Sequence, residues 1–357
     1  MKFTSLRASD FRNLKIENVD CDSKSVILTG PNGQGKTNIL EALYILSYGS
    51  SFRTPYLKEC ISWDKNGFFV SGDYEDEEGK GNITVSFFNN QRKIILDGKE
   101  VKDRKELVYR FPCIVFSHED ISFVKGEPEE RRRFFDQMLS LYSQRYFDAL
   151  RSYKTILAQR NAAIRSGDDY LIGLYNNRLA TYGMEIMEDR AQAIYEFNKI
   201  FPPLFSRISG TEYKLCVNYQ PSWKEGGSID EIEDILVSTL ERDKKMNTTT
   251  SGIHRDRFVV MSQYGPFVQM GSTGQLRLCS LIFRISQAIY FSRMTDKKPI
   301  LLLDDVLLEL DSLKRGEVLS SLPEYSQVWC TFLPDEKYYE DSSSSLQFNA
   351  EDGRLNG

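Results

Sequence analysis

Residues 30 to 37 read Gly30-Pro31-Asn32-Gly33-Gln34-Gly35-Lys36-Thr37, directly behind the apolar run Val26-Ile27-Leu28. A G-x-x-x-x-G-K-[ST] spacing between a short apolar strand and a helix marks a phosphate-binding loop. Its glycines let the backbone curl until its N–H groups converge on phosphate oxygens. Lys36 can reach the β- and γ-phosphates, and the Thr37 hydroxyl can bind Mg²⁺. Thr37-Asn38-Ile39-Leu40-Glu41-Ala42-Leu43 then opens an apolar helix whose positive end faces the same anion. These features predict an α/β fold that holds a nucleotide.

At 357 residues the chain exceeds the usual single core, so two lobes are expected, and 41% hydrophobic and 12% aromatic content can fill both. A net charge of −5 and a pI near 5.4 lack the overall basic signature of a nucleic-acid binder, leaving only local patches to carry such a role. The six cysteines show no C-x-x-C spacing, and His118 and His254 are the two imidazoles, a poor set for zinc and a good one for reduced, packed thiols. No 18-residue apolar stretch occurs, and Met1-Lys2-Phe3-Thr4-Ser5 leads into mixed polar residues, so a soluble, cytoplasmic chain with no membrane partner is expected.

Asp10-Phe11-Arg12-Asn13-Leu14 reads as a polar turn ahead of the strand that feeds the loop, and Arg12 is there either a solvated turn residue or a group facing the nucleotide. Residues 66 to 101 read as an antiparallel meander with turns at Asn89-Asn90 and Asp97-Gly98. From Pro128 the period lengthens. Phe135, Leu139, Tyr142, Tyr146, Leu150, Tyr153 and Leu157 recur three or four apart, predicting one long helix, and a second runs from Leu171 until Pro202-Pro203 stops it. The predicted division is an ATPase lobe over 1–120 and 252–340, a helical lobe over 121–251, and a flexible acidic and Ser-rich tail over 341–357.

Two further stretches bear on the nucleotide. Pro299-Ile300-Leu301-Leu302-Leu303 is a continuous apolar strand suited to the inside of a parallel sheet, and it ends in Asp304-Asp305. In isolation such a strand end is an ordinary solvated cap. Beside the loop, Asp304 is placed to share the Mg²⁺ of Thr37, and Asp305 to accept a proton from the water that attacks the γ-phosphate. Ser272-Thr273-Gly274-Gln275 has the composition of a helix start, with Ser272 as N-cap, Gln275 reaching back and Gly274 keeping the approach clear. It is either a plain cap or a grip on a nucleotide carried by a second subunit.

The loop, the Ser272 helix start and the acid-tipped strand occur in the order of ABC-type ATPases, and their details resemble the RecF family. The resemblance rests on Asp10 to Leu14, Gly30 to Asn38, Ser51-Phe52-Arg53-Thr54, Val115-Phe116-Ser117 with Glu119-Asp120, and Gly126-x-Pro128-x-x-Arg131-Arg132-x-Phe134-Phe135-Asp136. It continues through His254-Arg255-Asp256, Gly274-Gln275 and the run Leu301 to Asp311, and so covers nearly the whole chain. It implies a Rad50-like ATPase head, of mixed sheet, helices and an antiparallel meander, with a mainly helical second lobe and no long coiled coil. It implies ATP and Mg²⁺ as cofactors, nucleotide contacts from Arg12, Asn38, Ser272, Gly274 and Gln275, and an ATP-dependent homodimer. It also implies weak, DNA-stimulated ATP hydrolysis used as a switch, DNA binding at single-strand gaps or junctions, and RecR and RecO as partners in recombinase loading. The chain departs from the family at Ile253, where a proline is usual, and at Arg257, where a second acid is usual.

Other classes fit less well. A transporter ATPase subunit would carry a glutamine after Phe116 and a switch histidine where Thr331 stands, and its signature helix would follow the loop more closely. An SMC-type chromosome protein needs a long coiled coil, for which Ile121 to Ser251 is too short and too broken. A small-molecule kinase would need a phosphoryl acceptor. Residues 125 to 165 carry nine Lys or Arg against five acids, and Arg151, Lys154 and Arg160 are the candidates there for contacting DNA phosphates, the alternative being a solvated helix face.

Overall fold

A computed structural model describes residues 1–224, 227–308, 310–334 and 345–357. The chain divides into two compact units, Met1–Glu119 with Phe291–Gly357, and Asp120–Tyr290. Among the described residues no helix is long and apolar enough to cross a membrane.

The first unit begins with β1 (Lys2–Phe3), β2 (Ser5–Phe11), β3 (Leu14–Asp20) and β4 (Ser25–Thr29), then α1 (Lys36–Tyr48). The meander follows as β5 (Gly67–Asp76), β6 (Gly79–Phe88), β7 (Gln91–Leu96) and β8 (Lys99–Glu100), and α2 (Lys105–Arg110) leads to β9 (Cys113–Ser117). Asn89 and Asn90 both adopt positive φ, as do Asp97 and Gly98, the geometry two-residue hairpins need. One antiparallel sheet has the order β3-β2-β5-β6-β7-β8, with β1 added along β5. The helix α1 packs against strands of both sheets of this unit, which is why Ile39, Leu40, Leu43, Ile45 and Leu46 are all fully buried.

The second unit opens with α3 (Ser122–Lys125), α4 (Pro128–Ser140), α5 (Gln144–Ser166), α6 (Asp169–Phe197) and α7 (Phe201–Ser209). It continues with β10 (Cys216–Gln220), α8 (Ile229–Ser238), α9 (Leu240–Met246), β11 (Arg257–Ser262), β12 (Gly265–Pro266) and most of α10 (Thr273–Thr295). The single helix predicted from 128 to 157 is two. It breaks at Leu141–Ser143 because Ser143 caps a new helix, its Oγ accepting from Tyr146 N at 3.1 Å. Pro202-Pro203 do not stop α6, which already ends at Phe197 with Asn198 as its cap; they occupy the first turn of α7, where their missing N–H groups cost nothing.

The predicted domain division differs from the observed one at residues 252–290. There β11 pairs with β10 from Cys216↔Met261 to Gln220↔Arg257, and Phe258 stacks on Phe135 at 4.5 Å. Phe283 of α10 meets Phe201 at 4.5 Å and Phe197 at 5.3 Å, so this stretch belongs with the helices. Shared aromatic packing sets the boundary.

The first unit is completed by β13 (Ile300–Asp304), α11 (Ser312–Ser320), β14 (Gln327–Phe332), β15 (Ser345–Glu351) and β16 (Arg354–Asn356). Its second sheet has the order β16-β15-β4-β14-β13-β9, parallel except for β16. The continuous apolar runs of β4, β13 and β14 fit strands covered on both faces. The flexible tail predicted over 341–357 is corrected from residue 345 onward, since β15 pairs in parallel with β4 from Ser345↔Ser25 to Asn349↔Thr29. Residues 341–344, and Glu309 of the motif after β13, lie outside the described residues.

Candidate nucleotide site

The strand β4 ends in the loop, and Gly35 turns the chain into α1 from the left-handed region, at φ 106°. A Cβ there would lie 2.9 Å from Asn13 Oδ1, so glycine suits the position on two counts. Lys36 is only 4% exposed and donates to the Gly30 carbonyl at 2.6 Å and the Pro31 carbonyl at 3.1 Å. Its ammonium is thus held by two carbonyls of the loop itself, which a phosphate can replace as partners. Pro31, Asn32 and Gly33 form the exposed crest.

Parallel pairing brings the ends of β4, β14, β13 and β9 to one edge of the sheet, with Asp304 opposite Ser117 and Thr331 opposite Leu28. Across that edge Thr37 Oγ1 donates to Asp304 Oδ1 at 2.8 Å. Asp304 is 3% exposed, and burial pushes its carboxyl up to about 6, with the neighbouring Asp305 charge adding to the rise and the Thr37 hydroxyl opposing it. A divalent cation would remove the cost of that buried charge. The paired hydroxyl and carboxylate suit Mg²⁺, which takes few protein oxygens and keeps places for phosphate and water.

Asp305 adopts φ 53° and is held by Thr331, whose Oγ1 accepts from Asp305 N at 2.7 Å and donates to Asp305 Oδ1 at 2.7 Å. Its carboxylate is therefore oriented separately from that of Asp304. Thr37 and Asp304 thus meet in the first unit, with Lys36 and Asp305 next to them in the chain.

Arg12 makes a bidentate pair with Glu41, through Nε at 2.9 Å and Nη2 at 2.8 Å, and Nη1 donates to the Glu59 carbonyl at 2.6 Å. Glu41 is fully buried on α1, one turn beyond Thr37, and also accepts from Arg53 Nη1 at 3.3 Å. Arg53 in turn donates to Asn38 Oδ1 at 2.8 Å, and Asn38 Nδ2 to Asn13 Oδ1 at 2.8 Å. Glu41 belongs to none of the motifs, although a lone acid inside the apolar stretch Ile39 to Leu43 is the kind of signal that marks a buried partner for arginine.

Ser272, Gly274 and Gln275 stand in the second unit. The capping box forms as predicted, with Ser272 N donating to Gln275 Oε1 at 2.8 Å and Gln275 N to Ser272 Oγ at 3.3 Å. Ser272, Thr273 and Gly274 are exposed, and nothing lies within 4 Å of a Cβ placed on Gly274.

Of the three candidate DNA contacts, Arg151 and Lys154 are exposed on α5. Arg160 is corrected: it is 0% exposed and pairs with Asp243 at 2.7 Å, with further bonds to Asn176 and Thr249. It cannot reach a phosphate from there. The family-like blocks of this unit also meet inside it, where Arg190, 1% exposed, joins Asp136 and Asp256, each at 2.7 Å.

A family model described as the RecF/RecN/SMC N-terminal domain matches residues 2–353. The DNA replication and repair protein RecF of Treponema pallidum (strain Nichols) is 39% identical over 337 residues, 93% of this chain and 94% of that protein. This chain belongs to the RecF family. The RecF of Leptospira interrogans serovar Lai is 30% identical over 89% of this chain and 87% of its own length. A solved structure of the recombination mediator protein RecF with ATP in the RecFOR pathway superposes with a TM-score of 0.89 at 27% identity, covering 99% of this RecF-family chain and 96% of that one. The Smc head domain from Pyrococcus furiosus shares the fold alone, with a TM-score of 0.55 at 15% identity over 99% of this chain and 94% of the Smc chain.

Proposed function

We propose that this chain is an ATP-dependent DNA-binding protein of recombinational repair and replication, which closes into a homodimer on Mg²⁺-ATP and acts at single-strand gaps or duplex junctions. The observation that carries this is the Thr37–Asp304 contact, which joins the phosphate loop to the acid-tipped strand inside a RecF-like head. Binding exchanges the Lys36 bonds to Gly30 and Pro31 for bonds to phosphate oxygens, a charge-assisted replacement. Mg²⁺, when bound, would neutralise charge on the phosphate oxygens, with Thr37 and Asp304 as its protein ligands. Asp305 then takes the proton from the attacking water.

The exposed helix start at Ser272 fits a contact with the γ-phosphate of a nucleotide held by a second copy, so ATP itself is the adhesive of the dimer. Hydrolysis times release from DNA, and RecR- and RecO-type mediators act with the dimer in recombinase loading. Arg151 and Lys154 on α5 supply sequence-independent phosphate contacts. The deciding experiment is analytical sedimentation with ATP and Mg²⁺, with and without gapped duplex, for wild type, Lys36→Ala and Ser272→Arg. Wild type should dimerise and bind the gap. Lys36→Ala should lose ATP and dimer together, and Ser272→Arg should keep ATP and lose the dimer. A wild type that stays monomeric at saturating ATP would sink the proposal.

A further inference from the structure

The turn that joins β15 to β16 lies on the phosphate loop. Asp352 N donates to Gln34 Oε1 at 2.8 Å and Gly353 N donates to the Gln34 carbonyl at 3.1 Å, so two consecutive amides grip one loop residue. The Gly353 carbonyl accepts from Lys15 N at 2.8 Å, which ties the same turn to the start of β3. The approach is close: a Cβ on Gly353, at φ 77°, would stand 1.9 Å from the Asn13 carbonyl oxygen, and one on Gly30 would stand 2.5 Å from the Ala350 carbonyl oxygen. Behind the loop, Thr29 Oγ1 donates to the Phe348 carbonyl at 3.2 Å, continuing the parallel pairing of β15 with β4.

A phosphate loop works when its amides point inward, and each peptide plane that does so turns its carbonyl outward. An outward carbonyl needs a partner of its own. At Gln34 that partner is the Gly353 amide. Holding the Gln34 carbonyl on the hairpin fixes the next N–H, that of Gly35, on the opposite side of the same plane.

We propose that the β15–β16 hairpin is a clasp that holds the phosphate loop ready for its anion, with Asp352 and Gly353 as positioning residues acting through Gln34. This rests on residues 30 to 37 being the ATP site and adds to it a determinant about 320 residues away in sequence. The hairpin touches the loop from outside and takes no part in the chemistry, so its contribution is to affinity.

The test measures binding of a fluorescent ATP analogue with Mg²⁺ to full-length wild type, Gly353→Ala, Gln34→Ala and the double variant, with melting temperatures taken without nucleotide. Gly353→Ala drives a methyl group into Asn13 and lifts the turn; Gln34→Ala removes one of the two bonds and keeps the other. Each should weaken binding about tenfold, and the double should be little worse than the weaker single, because both break one clasp. Amide exchange of the peptide spanning residues 30 to 36 should speed up in both singles without nucleotide. Wild-type affinity in both singles, or losses that add in the double, would overturn the clasp. If wild type itself fails to bind the analogue, the ATP assignment is at fault, and the exchange arm still decides the clasp: unchanged loop exchange in Gly353→Ala refutes it. Should Gly353→Ala not fold, Gln34→Ala decides by both readouts.

Discussion

Thr331 both accepts from the Asp305 amide and donates to the Asp305 carboxylate, each at 2.7 Å, and so fixes that side chain from the neighbouring strand. Asp305 otherwise has two torsions free at a left-handed backbone position. Thr331→Val keeps the shape and removes both bonds. Hydrogen bonds to charged groups contribute about 1.5–3 kcal/mol, so single-turnover hydrolysis should fall roughly 10- to 100-fold while ATP affinity stays near wild type. Equal turnover in the variant would make Thr331 an ordinary strand residue.

The parts of the site legible in sequence are those with fixed local spacing: the loop at 30–37, the acid pair behind an apolar strand, and the Ser272–Gln275 capping box. Each is encoded within about ten residues, and each formed. What escaped depends on distant pairing. Nothing local to Arg12 announces Glu41, and a polar, serine-rich stretch reads as a tail unless β4 is known to offer it an open edge. Arg160 is instructive because its signal was present: it falls three residues after Leu157, on the same stripe as Tyr146 and Tyr153, which marks it as inward-facing. A net charge summed over residues 125 to 165 carries none of that periodicity.

That correction separates two kinds of basic residue on α5. Arg160→Met leaves Asp243 buried without its cation, a change that costs about 3–5 kcal/mol, whereas adding Asp243→Leu to it should recover part of the loss. Urea unfolding reads both. Arg151→Glu with Lys154→Glu should weaken DNA binding for all sequences alike and flatten its salt dependence. A shallow urea effect for Arg160→Met, or an unchanged salt slope for the double reversal, would contradict these roles.

His254 sets a pH dependence. Its Nε2 donates to the Thr249 carbonyl at 3.0 Å and its Nδ1 accepts from Tyr153 Oη at 2.9 Å, the arrangement of a neutral ring. Burial, helped by Arg255 and Arg132 and opposed by the Thr249 carbonyl and Asp243, lowers it from an ordinary 6.5 to about 4. With the folded value depressed, the unfolded chain binds a proton first as pH falls, so stability is whole above about pH 6.5 and declines toward pH 4. The ring is part-exposed, so the loss attributable to it should be at most about 2–3 kcal/mol. His254→Gln should be less stable than wild type at pH 7.5 and show a shallower decline over that window, by thermal unfolding at stepped pH. Parallel curves for the two proteins would remove His254 from the account.

The two aspartates at the end of β13 should fail differently. Asp304 bonds to Thr37, whereas Asp305 is held by Thr331, and the proposed reading gives the first the metal and the second the attacking water. Asp304→Asn should therefore weaken Mg²⁺-ATP binding itself and, with it, dimer and DNA. Asp305→Asn retains shape and removes the proton acceptor, so ATP should bind and persist. General-base catalysis contributes about 10²- to 10⁴-fold, so the dimer of Asp305→Asn should outlive that of wild type, and its dissociation from gapped DNA should slow by as much as release depends on cleavage. Dissociation followed in excess ATP after a competitor chase decides between timed release and simple equilibrium binding. Equal rates for wild type and Asp305→Asn would mean that hydrolysis does not set the dwell time; faster release in the variant would assign the metal to Asp305 and the water to Asp304.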